Sequence, residues 1–196
     1  MISVDGRSKP PLYLPASLEK KILSIPKYAL TVAQAPAGFG KTAALHTLLD
    51  QLSPVFYLPC RDGSIARCWT YFCQAVQSFD TNCAEKLRFL SPQFSDDLPL
   101  ISEALQDAVC PQPVFFVMES FQKLPLSDKP RFLRMLEDSA CRNLHFVILI
   151  TTEENQPPLK LPVGRRVLRL QADDFTFSVL DTVQFFHETE PSASSS

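Results

Sequence analysis

The sequence predicts an α/β protein: a three-layer α/β/α sandwich around a mainly parallel sheet of five strands. Three observations predict it. Short apolar runs alternate with segments of helical spacing along most of the chain, the pattern of crossover units that put helices on both faces of a parallel sheet. Two of the runs, Val114-Phe115-Phe116-Val117-Met118 and residues 144–150, are apolar almost throughout, as strands covered on both faces must be. A loop of small residues ending in Gly40-Lys41-Thr42 separates the first run from a helix.

Composition sets the bounds. At 196 residues, 45% hydrophobic and 20% charged, the chain is the size of about one domain and buries roughly 70% of its unfolded surface. No apolar run is long enough to span a membrane, and residues 1–9 lack the apolar core of a signal peptide, so no membrane partner and a cytoplasmic home are expected. A net charge of −2 excludes an electrostatic grip on nucleic acid by this segment alone. The six cysteines form no C-x-x-C pair, and His46, His145 and His187 complete no metal spacing. Reduced core thiols are expected, not a zinc or disulfide framework.

In chain order, residues 1–27 are a Pro- and Lys-rich lead-in with a short helix, Ala16–Leu23, lying across the sheet. Residues 28–187 form the main domain. The first strand spans residues 28–34. The helix after it starts at Gly40 or Lys41 and reaches about Leu52, with Thr42, Leu45, Leu48, Leu49 and Leu52 at three- and four-residue spacing. A second strand covers residues 54–58, and the polar turn Cys60-Arg61-Asp62-Gly63 follows at the end where open α/β sheets keep their ligands. Ile65, Trp69, Phe72, Val76 and Phe79 mark a helix, in which Trp69 serves packing rather than base stacking. Residues 80–99 lose periodicity and read as a loop with room for one short helical turn. Residues 100–109 are helical. The third strand, 114–119, ends in the Glu119 carboxylate.

Ser127 is placed to cap a helix running to Asp138, with Pro130 in its first turn. The fourth strand, 144–150, ends in Thr151-Thr152, and the fifth covers 166–170. Ser178 and Asp181 have the spacing of a capping box opening a helix to Phe186. Residues 188–196 are a polar, Ser-rich tail, disordered or truncated. With the strands numbered along the chain, the expected order is 2-3-4-1-5.

The chemistry sits around Ala35-Pro36-Ala37-Gly38-Phe39-Gly40-Lys41-Thr42, the Walker A pattern G-x-x-x-x-G-K-[ST] with alanine at its first glycine. Binding a triphosphate takes backbone N–H groups aimed at its oxygens, which Gly38 and Gly40 permit. Lys41 supplies a cation for the β- and γ-phosphates, and the Thr42 hydroxyl a ligand for Mg²⁺. The candidate nucleotide-binding residues are Ala37, Gly38, Phe39, Gly40, Lys41, Thr42 and Ala43. Thr42 and Glu119 are the candidate Mg²⁺ ligands, and Glu119 is also the candidate catalytic acid. The plainer alternatives are an ordinary turn before a helix and an ordinary acid at a strand end. The strand before the loop and the amphipathic helix after it favour a phosphate-binding loop, and hence a P-loop NTPase fold.

These residues carry a resemblance. Residues 35–42 resemble the "APAGFGKT" of MalT-like, LuxR-type transcription regulators of the STAND class of signalling P-loop ATPases. Phe56-Tyr57-Leu58, Asp62 and Ala66-Arg67-Cys68-Trp69-Thr70-Tyr71-Phe72 resemble the strand, turn and helix that follow. Phe116-Val117-Met118-Glu119-Ser120-Phe121 falls at the family's Walker B. Asp174-Phe175-Thr176-Phe177 with Val183-Gln184-Phe185-Phe186 resembles the segment closing its nucleotide-binding domain. The resemblance implies a switch that holds ATP or ADP with Mg²⁺, self-associates when ATP-bound in the full-length protein, and binds DNA through a C-terminal domain absent here. On that basis the chain is expected to be an N-terminal fragment of a longer regulator.

Two departures bear on hydrolysis. The family's paired aspartates are Glu119-Ser120, and serine cannot serve as the base that polarises water. The arginine after the fourth strand is Thr151, leaving Arg165 or Arg166 as substitutes. Weak or absent hydrolysis is expected. Leu14 or Leu18 is a candidate to pack under the adenine. The alternatives are a small P-loop kinase or free-standing ATPase, for which no Arg-rich lid stands out, and a degenerate module that has lost its nucleotide. A GTPase is disfavoured because no N-K-x-D motif is present.

Overall fold

The computed structural model describes residues 14–52, 54–58, 60, 62–126, 129–139, 141–153, 166–178 and 181–182. Among these, five strands form one sheet: β1 (Leu30–Pro36), β2 (Val55–Leu58), β3 (Val114–Met118), β4 (Leu144–Thr152) and β5 (Val167–Gln171). Their order is β2-β3-β4-β1-β5, and every neighbouring pair is parallel. Order and direction are those the sequence predicts. The helices are α1 (Ala16–Leu23), α2 (Lys41–Leu49), α3 (Ile65–Gln77), α4 (Thr81–Leu87), α5 (Leu98–Gln106) and α6 (Lys129–Ser139).

Strand alternation builds two cores. On one face Val114, Phe116, Met118, Leu144, Phe146 and Ile148 meet the apolar sides of α3 to α6. On the other, Phe115, Val117, Val147, Leu149 and Leu170 meet α1 and α2 through Leu18, Ile22, Leu45 and Leu49. Each fully buried Phe or Leu contributes about 1.5–3 kcal/mol, so the sheet is clamped from both sides. Phe116 is central, with the rings of Phe56, Phe72 and Phe146 within 5.9 Å of its own. Among the described residues, no helix is long and apolar enough to cross a membrane.

Local chemistry explains the boundaries. The 3-10 turn Ile25–Lys27 takes up Pro26 and leaves Tyr28 as its C-cap, so β1 starts at Leu30, two residues later than expected, and runs on through Pro36. α2 stops at Leu49, short of Leu52. α5 begins at Leu98 and ends at Gln106. Residues 81–87, within the stretch read as a loop with room for one short helical turn, form α4. The Asp80 carboxylate caps it by accepting from the Cys83 N–H at 2.9 Å, and Cys83, Ala84 and Leu87 supply its buried side. Trp69 packs as expected, stacked on Phe72 with its indole N–H donating to the Leu87 carbonyl at 3.1 Å. Ser178 and Asp181 exchange both capping-box bonds. The rest of that helix, and the Ser127 cap, lie outside the described residues.

Candidate functional site

The phosphate-loop geometry is built where β1 gives way to α2. Gly38 and Gly40 have φ of +85° and +74°, a left-handed backbone that residues with a Cβ adopt at a cost. A Cβ on either would meet nothing within 4 Å, so conformation, not space, selects glycine. Ala35, at the strict motif's first glycine, still lies inside β1 with its side chain in the core, where an extended backbone needs no glycine.

Gly40 is the N-cap of α2, with no side-chain cap and no acid in the first turn. The first bond into the helix runs from the Ala44 N–H to the Gly40 carbonyl at 2.9 Å. The N–H groups of Lys41, Thr42 and Ala43 therefore have no helical acceptor. With the helix dipole behind them they form an anion-binding end. Ala37, Gly38, Thr42 and Ala43 are exposed, and Phe39 is half-buried.

Lys41 is 6% exposed, and its ammonium donates to the Ala35 carbonyl at 2.6 Å and the Pro36 carbonyl at 2.7 Å. Burial lowers its pKa from the ordinary lysine value. An ammonium has three N–H bonds. Two hold it to the loop, leaving the third for an anion seated there.

Glu119 follows β3 and meets α2. Its Oε1 lies 3.0 Å from the Nε2 of His46, a residue the sequence reading did not select. The signal was its position four residues after Thr42, on the same side of the helix. The His46 ring also packs on Tyr57, with centroids 4.0 Å apart, and the Tyr57 hydroxyl donates to Asp50 at 2.6 Å. Burial, then the Asp50 bond, pushes the Tyr57 phenol upward. The cluster thus ties the end of β3 to the Thr42 side of α2. A hydroxyl and a carboxylate are the hard oxygen donors Mg²⁺ takes, so Thr42 and Glu119 fit that ion.

Ser120 has φ 58° and ψ 36°, the one non-glycine with positive φ among the described residues. Such strain tends to collect at functional sites. Two other candidates do not hold up. Arg166 precedes β5, where its carbonyl accepts from the Ala29 and Leu30 N–H groups. It therefore sits at the far end of β1 from the loop, about 20 Å away at strand rise. Leu18 is 2% exposed inside the α1–α2 core, with no face left for a base; Leu14 packs partly buried against the same core. Arg165 and residues 1–13 lie outside the described residues. Thr151 aligns with Ala35 across the β1–β4 ladder, so a short hydroxyl side chain stands beside the loop.

No protein-family model matches the sequence, and no curated protein matches it. Solved structures do. A Walker-type ATPase of Pyrococcus abyssi is 16% identical with a TM-score of 0.50, the match covering 94% of this chain and 60% of that one. A signal transduction ATPase with numerous domains (STAND) and a tetratricopeptide repeat sensor, from Pyrococcus horikoshii, is 12% identical with a TM-score of 0.53, covering 98% of this chain and 28% of that one. The chain therefore spans less than two thirds of the length of the first neighbour and under a third of the second. What it shares with both is architecture: this chain has the α/β fold of the P-loop ATPases.

Proposed function

We propose that the chain is a nucleotide-binding switch module that holds ATP or ADP with Mg²⁺ and hydrolyses ATP weakly or not at all. The observation that carries this reading is the loop between β1 and α2. Gly38 and Gly40 curl the backbone, three helix N–H groups lack acceptors, and the buried Lys41 ammonium spans the loop. In this reading the N–H groups bind the phosphate oxygens, and Lys41 neutralises charge between the β- and γ-phosphates. Thr42 and Glu119 hold Mg²⁺, which supplies charge neutralisation across the phosphates. Ser120 and Thr151 supply neither a base nor a cation at the γ-phosphate, which supports slow turnover.

The finer reading, drawn from the sequence resemblance, is a cytoplasmic LuxR-type transcription regulator. DNA contact would then belong to a C-terminal domain outside this chain, and ATP-dependent self-association to the full-length protein. The test is calorimetric titration of ATP and ADP with Mg²⁺, beside Lys41→Ala checked for folding by circular dichroism. We expect micromolar binding that weakens at least 100-fold in the variant, about 2.7 kcal/mol or more. No binding, or binding indifferent to the variant, overturns the reading. Turnover near 1 s⁻¹ or faster, roughly the kinase range, overturns its hydrolysis clause.

A further inference from the structure

Two cysteine pairs are in contact, and they differ. Cys60 and Cys68 lie 3.0 Å apart, both buried. Cys110 and Cys141 lie 3.5 Å apart, both half-buried and open to solvent. Cys110 is in the loop before β3 and Cys141 in the loop before β4. The backbone around the second pair is pinned. The Asn143 side-chain N–H donates to the Cys110 carbonyl at 2.8 Å. The Val114 N–H donates to the Asn143 carbonyl at 2.8 Å, and the Leu144 N–H to the Cys141 carbonyl at 3.1 Å. On the outer side, the Asp80 carboxylate accepts from the Val109 N–H at 2.9 Å.

We propose that Cys110 and Cys141 are a reactive dithiol that small disulfides of the glutathione class convert into an internal disulfide. Bond formation needs the sulfurs to close from 3.5 Å to about 2.0 Å, a side-chain movement between two held loops. The pair shares its charge unequally. The Cys110 thiol holds the Cys141 thiol below its ordinary range; burial opposes this, and backbone N–H groups of residues 143, 144 and 141 add to it. The bond to Cys141, then burial, raises Cys110. Cys141 is therefore the attacking thiolate. At the buried pair, the Cys68 bond and then burial push the Cys60 thiol up. That pair is the internal control.

The steps balance. The Cys141 thiolate attacks one sulfur of glutathione disulfide, forms a mixed disulfide and expels a glutathione thiolate, which takes a proton from the Cys110 thiol. Cys110 then attacks Cys141 Sγ and expels the second glutathione thiolate, which takes up the proton that Cys141 had released to solvent on ionising. Two cysteine thiols are oxidised, and one glutathione disulfide is reduced to two thiols. The product ties together the chain entries into β3 and β4, at the sheet end opposite Lys41. It also shortens the unfolded chain's reach, so the oxidised form should melt about 5–10 °C higher.

The experiment treats the whole chain with glutathione disulfide, counts remaining thiols and maps disulfides by peptide mass. We expect two thiols lost, a link between the Cys110 and Cys141 peptides, Cys60 and Cys68 still reduced, and reversal by dithiothreitol. Cys110→Ser should halt at a glutathione adduct on Cys141, and Cys141→Ser should leave residue 110 unmodified. An unreactive wild-type chain, oxidation of Cys60–Cys68 first, or an adduct on Cys110 overturns the proposal. The wild-type result decides alone if either variant fails to fold. Because the readout needs no nucleotide, it stands or falls separately from the switch reading.

Discussion

His46 Nε2 lies 3.0 Å from Glu119 Oε1, so the acid at the end of β3 already has a partner on the helix that opens with Lys41. For Glu119 to serve Mg²⁺, its carboxylate must share or leave that bond. Removing the imidazole should therefore favour the ion. We expect His46→Ala to tighten nucleotide binding with Mg²⁺ present by about 3–10-fold, the worth of one hydrogen bond of about 1 kcal/mol. Binding in excess chelator should not change. Titrations with and without Mg²⁺ check this, and weaker binding in both would show that His46 supports the site instead.

Thr31 sits in β1 wholly buried, with a hydroxyl that has no partner among the described residues. A buried hydroxyl without a bond costs about 1–3 kcal/mol by mutational measures. Valine has nearly the same shape and no such group. Thr31→Val should stabilise the fold by about 1 kcal/mol and raise Tm by about 2–4 °C. Denaturant unfolding measures it, and a lower midpoint would mean that the hydroxyl is satisfied.

His145 is 3% exposed, stacks on Phe115 with centroids 5.0 Å apart, and donates from Nδ1 to the Tyr28 carbonyl at 2.8 Å. Burial lowers its pKa; the Tyr28 bond opposes that, and Arg166 adds to it. The folded state thus favours neutral imidazole, while the unfolded chain takes up a proton below about pH 6.5. The stability this contributes is present above that pH and is lost as pH falls toward the folded value. Unfolding midpoints should drop between pH 8 and pH 5, and the drop should shrink in His145→Gln, whose amide can still donate to Tyr28. An identical pH profile in the variant would place the acid sensitivity elsewhere.

The sheet was legible because its signals are redundant. Val114 to Met118 is apolar at every position, and the loop at Gly40 orients β1 and α2 by itself. α4 was read as no more than one short helical turn within a loop, for a physical reason. Two of its three buried residues, Cys83 and Ala84, carry little apolar weight, and its start rests on a single carboxylate, Asp80. Lys41 was legible by motif; His46 was not, because its partner lies 73 residues away. The same holds for Cys110 and Cys141, which no local spacing joins. Arg166 was a substitute cation by residue type alone, and the parallel ladder sets the start of β5 at the opposite end of the sheet from the loop.

The sheet order has a consequence for synthesis on the ribosome. Among the described strands β1 is made first, yet its partners are the last: Leu30 pairs with Phe146 and with Val167. At translation speeds of about 5–20 residues per second, the segment bearing Lys41 waits on the order of ten seconds for either neighbour. Until then β1 has two open edges and the loop has no scaffold. A chain interrupted before β4 carries residues 35–42 but neither of the strands that flank β1. A complete sheet around the loop therefore reports that translation has passed β5.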